Sequence, residues 1–120
     1  MNIYCDSSTK EACIIFNGLQ PTVIPYEQPV TTNVGEYKAV ILALEEARNA
    51  KLMQVKLQTD SLLVVNQVEG FWKCRKPHLL PLRDRVRELL KELENQGASV
   101  EFVWVPREEN PAGRVLEEIK

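Results

Sequence analysis

Three carboxylates stand where predicted strands and helices meet. Asp6 ends an alternating segment at the start of the chain, Asp60 follows a second such segment, and Glu36 lies in the first turns of a predicted helix. Open α/β sheets place their sites at the ends of strands, so acids at these positions can converge. Clustered carboxylates repel one another unless a hard cation lies between them, and oxygen ligands suit Mg²⁺ or Mn²⁺. Such ions can clamp the attacking water and the leaving oxygen of a phosphodiester, so the acids predict phosphoryl chemistry.

Each acid also has an ordinary structural interpretation. Asp60 can cap the helix that follows it, Glu36 can interact favourably with the dipole of its own helix, and Asp6 can belong to a turn. The spacing of the three residues leaves both interpretations open.

The composition predicts one domain over residues 1–120, with 44% hydrophobic and 27% charged residues. The net charge of −2 means that a polyanionic partner must be held locally. Three cysteines without a CxxC pair argue against a disulfide framework and a structural zinc site. No apolar run is long enough to span a bilayer and no secretory signal opens the chain, so we expect a cytoplasmic monomer without a membrane partner.

Hydrophobic periodicity predicts the elements that must position the acids. Strands are expected over residues 1–6, 12–16, 21–26, 54–59 and 100–105, and helices over 33–49, 62–68, 79–93 and from 110 onward. The order βββαβαβα, with an extra helical turn or two, predicts an α/β fold. We expect a mixed five-stranded sheet, three antiparallel strands followed by parallel strands, flanked by helices.

Four segments, in order, resemble the motifs of type 1 ribonuclease H, in particular its compact version. Residues 3–8, IYCDSS, resemble the first-strand motif I-Y-x-D-G-S, and residues 31–39, TTNVGEYKA, resemble T-N-N-x-A-E-Y-x-A. Residues 57–68, LQTDSLLVVNQV, resemble x-x-x-S/T-D-S-x-x-V-V-N-Q, and residues 105–112, VPREENPA, resemble V-P-R-E-x-N-x-x-A-D. The resemblance runs almost from one end of the chain to the other.

This resemblance implies a ribonuclease H-like fold and metal-dependent hydrolysis of the RNA strand of RNA/DNA hybrids. It implies that Asp6, Glu36 and Asp60 are the catalytic residues and the ligands of a two-metal Mg²⁺ or Mn²⁺ site. Asn33 and Thr32 match positions that contact the hybrid from the minor groove, where RNA exposes its 2′-hydroxyls. Ser61 is included among the expected substrate contacts. Helix capping is the structural alternative for Thr32 and Asn33.

The chain departs from the family pattern at the fourth acid. The motif ends in Ala-Asp, whereas this chain has Ala112 followed by Gly113. The second metal site is therefore expected to be weakened. Glu117 lies one turn later on the same helix face, so it either reaches a metal, directly or through water, or remains a solvated surface acid. The first hairpin is also shortened, and Leu62 stands where a glutamine often reads the minor groove.

A basic and aromatic stretch occupies residues 71–78. Lys73, Arg75 and Lys76 are expected to grip the phosphate backbone of the DNA strand, with Phe71 and Trp72 offering stacking faces. In the alternative, the two aromatic residues pack into the core and the basic residues are merely solvated.

The sequence thus predicts a metal-dependent endonuclease whose partner is an RNA/DNA hybrid. Two alternatives remain open. One is a catalytically weak or inactive hybrid-binding module of the same fold, and the other is a structural or assembly domain.

Overall fold

The computed structural model describes residues 1–119, and in that range it contains five strands, four α-helices and a short 3₁₀ helix. The strands are β1 (Asn2–Ser7), β2 (Glu11–Phe16), β3 (Thr22–Pro25), β4 (Gln54–Thr59) and β5 (Ser99–Trp104). The helices are α1 (Thr32–Asn49), α2 (Leu62–Glu69), α3 (Leu80–Asn95) and α4 (Pro111–Glu118), with the 3₁₀ helix at Arg107–Glu109.

The strands form one sheet in the order β3-β2-β1-β4-β5. β2 pairs antiparallel with β1 and with β3, whereas β4 pairs parallel with β1 and with β5. The predicted mixed sheet is therefore confirmed. In the β1–β4 register Cys5 lies opposite Thr59, so the residues that follow them, Asp6 and Asp60, are neighbours at the same edge of the sheet.

The two faces of the sheet are covered by different helices. Residues of α1, α2 and α3 share the main core with Ile3 and Cys5 of β1. Side chains alternate along a strand, so Tyr4 and Asp6 point to the opposite face. On that face α4 packs against β1 and β2 through a small cluster that includes Ala112, Leu116 and Cys13. Asp6 therefore projects toward the helix that begins at Pro111.

The observed helix caps differ from two of the structural alternatives. The side chain of Thr31 accepts the N–H of Val34 at 3.3 Å and caps α1. Ser61, and not Asp60, caps α2 by accepting the N–H of Val64 at 3.3 Å. The interpretation of Asp60 as a helix cap is therefore wrong, because the next residue in the chain performs that role. The capping interpretation of Thr32 and Asn33 is also wrong, because Thr31 precedes them as the cap.

Cys5, Cys13 and Cys74 are free and buried, as expected of reduced thiols. Within residues 1–119, no helix combines the length and the apolar character needed to cross a membrane.

Candidate active site

Three acids meet at the edge of the sheet, each carried by a different element. Asp6 belongs to β1, Asp60 directly follows β4, and Glu36 lies in the second turn of α1. Each offers one carboxylate oxygen, and these oxygens all lie within 4.8 Å of one another. The predicted convergence is thus present in the structure.

The carboxylates are packed too closely to be ionised together at low cost. Burial, followed by the negative charges of Asp6 and Asp60, raises the pKa of Glu36 to about 9. Burial and the charge of Asp6 raise the pKa of Asp60 to about 6. Burial also raises the pKa of Asp6, whose residue is only 8% exposed. In addition, Oε2 of Glu36 is buried and has no hydrogen-bond partner among the described residues.

This donor set fits a divalent cation. All three donors are carboxylate oxygens, which Mg²⁺ and Mn²⁺ prefer over nitrogen or sulfur. A cation between them would offset their mutual repulsion and would provide a partner for the buried oxygen of Glu36. The structure therefore supports the three acids as a cluster able to hold a metal.

Arg107 is a cation whose charge acts on all three carboxyl groups. It follows β5 and lines the same cleft as the three acids. Its positive charge acts to lower the pKa of Asp6, Glu36 and Asp60, although burial outweighs that influence. Arg107 was not among the residues predicted for the site. Its position inside the fourth motif, three residues after the end of a strand that runs parallel to β4, was the signal that could have identified it.

Counted from Asn110, the motif N-x-x-A-D places its alanine at Gly113 and its acid at Arg114, so the expectation that Gly113 replaces the fourth acid is wrong by one residue. The backbone of Gly113 closely approaches Asp6. A Cβ atom built on Gly113 would lie 2.9 Å from Oδ2 of Asp6. The carboxylate of Asp6 thus occupies part of the space that a side chain at position 113 would need.

The structure does not bring Glu117 together with the three acids. Its carboxylate lies 3.6 Å from Nη2 of Arg107, and its side chain is 59% exposed. The physical reason is that Glu117 lies one helical turn beyond Gly113 on α4, where its carboxylate is largely in solvent beside the likewise exposed Arg107. Glu117 as a direct metal ligand has no geometric support in this arrangement.

Asn110 fixes α4 against β1. Its side chain is fully buried, its Nδ2 donates to the carbonyl oxygen of Cys5 at 2.9 Å, and its Oδ1 accepts the N–H of Ala112 at 3.2 Å. A helix beginning at residue 110 was predicted, whereas the hydrogen bond from Asn110 to the residue before Asp6 was not.

The predicted substrate contacts divide into two groups. Thr32, Asn33 and Ser61 line the cleft that contains the acids. Lys73, Arg75 and Lys76 lie outside its lining, exposed on the segment between α2 and α3.

The aromatic residues of that segment are also exposed. Phe71 is 78% exposed and Trp72 is 46% exposed. The alternative in which they pack into the core is therefore wrong, and both rings are available for stacking.

Comparison with known proteins agrees with this geometry. The family model described as reverse transcriptase-like matches residues 22–116. A bifunctional protein of Mycobacterium tuberculosis is 34% identical over 80 residues, which cover 67% of this chain and 21% of that protein. A protein named ribonuclease HI from Halobacterium salinarum is 38% identical over 86 residues, covering 72% of this chain and 41% of the relative. The chain thus matches only about a fifth of the length of the mycobacterial relatives.

Solved structures share the whole fold. RNase H1 from Halobacterium salinarum has a TM-score of 0.78 at 28% identity, over 96% of this chain and 92% of that one. LC11-RNase H1, solved in complex with an RNA/DNA hybrid, has a TM-score of 0.72 at 25% identity, over 99% of each chain. Because the family model covers most of the chain and these structures share its architecture, the chain belongs to the reverse transcriptase-like family and is of the type 1 ribonuclease H kind that its motifs predicted.

Proposed function

We propose that this domain is an endonuclease that hydrolyses the RNA strand of RNA/DNA hybrids, with Mg²⁺ or Mn²⁺ held by Asp6, Glu36 and Asp60. The observation that carries the proposal is the convergence within 4.8 Å of one buried and two half-buried carboxylates, carried by β1, α1 and the residue that follows β4. The structural likeness to an RNase H1 bound to a hybrid supports the choice of substrate.

The three acids hold the ions and set the conditions for their binding. When bound, divalent ions supply Lewis acidity and a clamp for the attacking water and the leaving oxygen. Carboxylates must be deprotonated to act as ligands, so the raised pKa values of Glu36 and Asp60 couple metal binding to proton release. Because Arg114 stands at the position of the fourth acid and Gly113 carries no side chain, we propose that the second ion is held more weakly than the first.

Arg107 supplies positive charge at the edge of the cleft near Gly113. A guanidinium remains charged at any working pH and offers a planar pair of donors to phosphate oxygens. We propose that Arg107 binds the scissile phosphate or its neighbour. This role orients the backbone and adds a fixed positive charge on the side of Asp6 that lacks an acid.

Residues at the start of α1 and α2 orient the RNA strand. Thr32 and Asn33 do not cap α1, and both residues line the cleft. We propose that they contact 2′-hydroxyls across the minor groove, with Ser61 at the opposite wall of the cleft.

We propose that Lys73, Arg75 and Lys76 grip phosphates of the DNA strand. Their exposure and the exposed rings of Phe71 and Trp72 support this assignment. Contacts between basic side chains and phosphates do not depend on the base sequence, so they suit a DNA strand that is held only by its backbone.

We also propose that residues 1–120 act as one monomeric domain in the cytoplasm. The continuous main core, to which strands and helices from both halves of the chain contribute, supports a single folding unit. Three buried free cysteines are typical of proteins that fold in a reducing compartment.

The test is cleavage of an end-labelled RNA/DNA hybrid in Mg²⁺ and in Mn²⁺, with Asp60→Asn as the matched inactive variant. We expect cleavage confined to the RNA strand and absent in the variant, while circular dichroism shows both proteins folded. Cleavage that persists in Asp60→Asn would locate the activity elsewhere.

The glycine at position 113 favours one second candidate, a hybrid-binding module that hardly cleaves. Hybrid retention in a gel shift without cleavage, at high protein concentration in both metals, would select this alternative. Loss of both hybrid and metal binding would instead indicate an assembly domain.

A further inference from the structure

The start of α1 approaches the end of β1 more closely than side chains normally permit. A Cβ atom built on Gly35 would lie 2.5 Å from Oγ of Ser7 and 3.0 Å from the carbonyl oxygen of Ser8. Gly35 is buried inside a helix, where glycine is otherwise unfavourable. The close approach is therefore the feature that requires glycine here.

Tyr26, which lies outside both β1 and α1, links the side chain of Ser7 to the backbone of Gly35. The hydroxyl of Tyr26 lies 2.7 Å from Oγ of Ser7 and donates to the carbonyl oxygen of Gly35 at 3.2 Å. Burial raises the pKa of Tyr26 to about 12, so the phenol keeps its proton. Oγ of Ser7 also lies 2.6 Å from the carbonyl oxygen of Ser8, to which it can donate.

These residues are the immediate neighbours of two metal-binding acids. Ser7 follows Asp6 in β1, and Gly35 precedes Glu36 in α1. One planar peptide unit joins Ser7 to Asp6 and another joins Gly35 to Glu36, so a displacement of Ser7 or Gly35 is transmitted to the carboxylates. Ser7, Gly35 and Tyr26 are not members of the carboxylate cluster.

We propose that Ser7, Gly35 and Tyr26 form a positioning seam that fixes the separation of Asp6 from Glu36 and thereby sets the affinity of the site for metal. The inference rests on the proposed metal site, and it assigns positioning residues rather than catalytic ones. It also accounts for two departures from the family motifs together. The motifs have glycine after the first acid and alanine before the second, whereas this chain has Ser7 and Gly35. The side chain has moved from the helix to the strand, and each change accommodates the other.

The experiment is a double-mutant cycle on the full chain with Gly35→Ala, Ser7→Gly and the double variant. The principal measurement is Mn²⁺ affinity, from the electron paramagnetic resonance signal of free Mn²⁺, with hybrid cleavage and thermal denaturation alongside. We expect Gly35→Ala to weaken Mn²⁺ binding by about tenfold, within the usual range of coupling between contacting residues, and the double variant to recover most of that loss. Such rescue is not expected from two independent packing defects.

Tyr26→Phe provides a second variant, because it removes only a hydroxyl. We expect it to weaken Mn²⁺ binding about threefold with kcat falling more than KM rises, since positioning of the acids matters most in the transition state. It keeps the proposal testable if Gly35→Ala alone fails to fold.

Three results would overturn the proposal of a positioning seam. They are unchanged Mn²⁺ affinity in both Gly35→Ala and Tyr26→Phe, losses in the double variant that merely add, and a wild-type protein that does not bind Mn²⁺. If the wild type binds Mn²⁺ but does not cleave the hybrid, only the proposed nuclease function fails, and the cycle still decides on the seam.

Discussion

The two sides of Asp6 are built in opposite ways. On the side of α1 and β4, Asp6 meets Glu36 and Asp60, and each carboxyl group has a pKa above its usual range. On the side of α4 it meets the bare backbone of Gly113, and the charged residues that border this side are two arginines and two glutamates, Arg107, Arg114, Glu108 and Glu117.

This difference separates two ways of handling negative charge. The side of Asp6 that faces Glu36 and Asp60, here called the crowded side, needs an external cation, because clustered acids without one are partly protonated and repel one another. The side that faces Gly113, here called the open side, has a cation supplied by the chain itself, Arg107. The domain therefore combines a cluster of three acids able to hold a metal with a second half that has no fourth acid and is bordered by the guanidinium of Arg107.

Glu36→Gln would break the crowded side and should have the largest effect. We expect at least a hundredfold loss of cleavage, corresponding to about 2.7 kcal/mol of transition-state stabilisation. In EDTA the same variant should have a higher Tm than the wild type, because it removes the most strongly perturbed carboxyl group. Single-turnover cleavage and thermal denaturation measure the two effects. A variant that cleaves at the wild-type rate would remove Glu36 from the site.

Arg107→Gln would break the open side. We expect kcat/KM to fall by about tenfold, since a charged hydrogen bond to phosphate is worth roughly 1.5–3 kcal/mol and solvent screens part of it. Arg107→Lys keeps the charge but loses the planar pair of donors, so it should fall between the two proteins. Steady-state kinetics on one hybrid compare all three. Equal rates for the wild type and Arg107→Gln would leave the open side without a functional cation.

The segment between α2 and α3 lies away from both sides of Asp6. Glutamine substitutions in this segment test whether it contributes to binding of the hybrid, at positions Lys73, Arg75 and Lys76. We expect KM to rise several-fold at moderate salt while kcat stays unchanged, because phosphate contacts position the hybrid without taking part in the reaction. The dependence of binding on salt should also become shallower.

The matched control replaces three exposed lysines elsewhere, Lys51, Lys56 and Lys91, with the same total change in charge. If this control raises KM as much as the triple change in the 71–78 segment, overall charge and not the segment accounts for the effect.

Gly113→Ala and Gly113→Asp sharpen the contrast by filling the open side. Both add a Cβ atom 2.9 Å from Asp6 Oδ2, so we expect each to lower cleavage a few-fold through displacement of Asp6. Only the aspartate adds charge, so in EDTA it should be less stable than the alanine variant, and Mn²⁺ should narrow that gap. Thermal denaturation with and without Mn²⁺ distinguishes the two, and equal stability in EDTA would contradict the proximity of position 113 to the acids.

The smallest effect is a pH dependence confined to the crowded side. The pKa of Glu36 rises from 4.5 to about 9 on folding, so between these values the folded protein binds more protons than the unfolded one. Stability without metal should therefore fall as pH rises from about 5 to 9, by a few degrees in Tm, because free energy of unfolding decreases when the native state holds the extra proton. Saturating Mg²⁺ should oppose this decline. A metal-free Tm that rises across the range would contradict the raised pKa.

The fold was largely predictable because its signals are local. The strand Gln54–Thr59 was predicted at its observed bounds, and the other elements were placed to within about two residues. Alternation, helical spacing and turn residues each act over a few positions, so they can be identified from one sequence.

The site was predictable only in part, because its remaining features depend on tertiary contacts. The three acids were identified from their places at strand and helix ends. Arg107 and the fit of Gly35 against Ser7 arise from segments brought together by the sheet, and neither has a periodic signal. Thr31 and Ser61 could not be distinguished from their neighbours as the caps of α1 and α2, because several adjacent polar residues could each have formed the cap.

Asn110 has a consequence for the order in which the protein is made. Its side chain bonds to the backbone of Cys5, 105 residues earlier in the chain. β1 lies at the centre of the sheet, and its acid, Asp6, is synthesised first. Asp6 reaches its final surroundings only after β4 has paired with β1 and Asn110 has bonded to Cys5. Contacts of such long sequence separation form late and slow the folding of a domain. The cleft that holds the three acids is therefore completed only when nearly the whole domain has been synthesised.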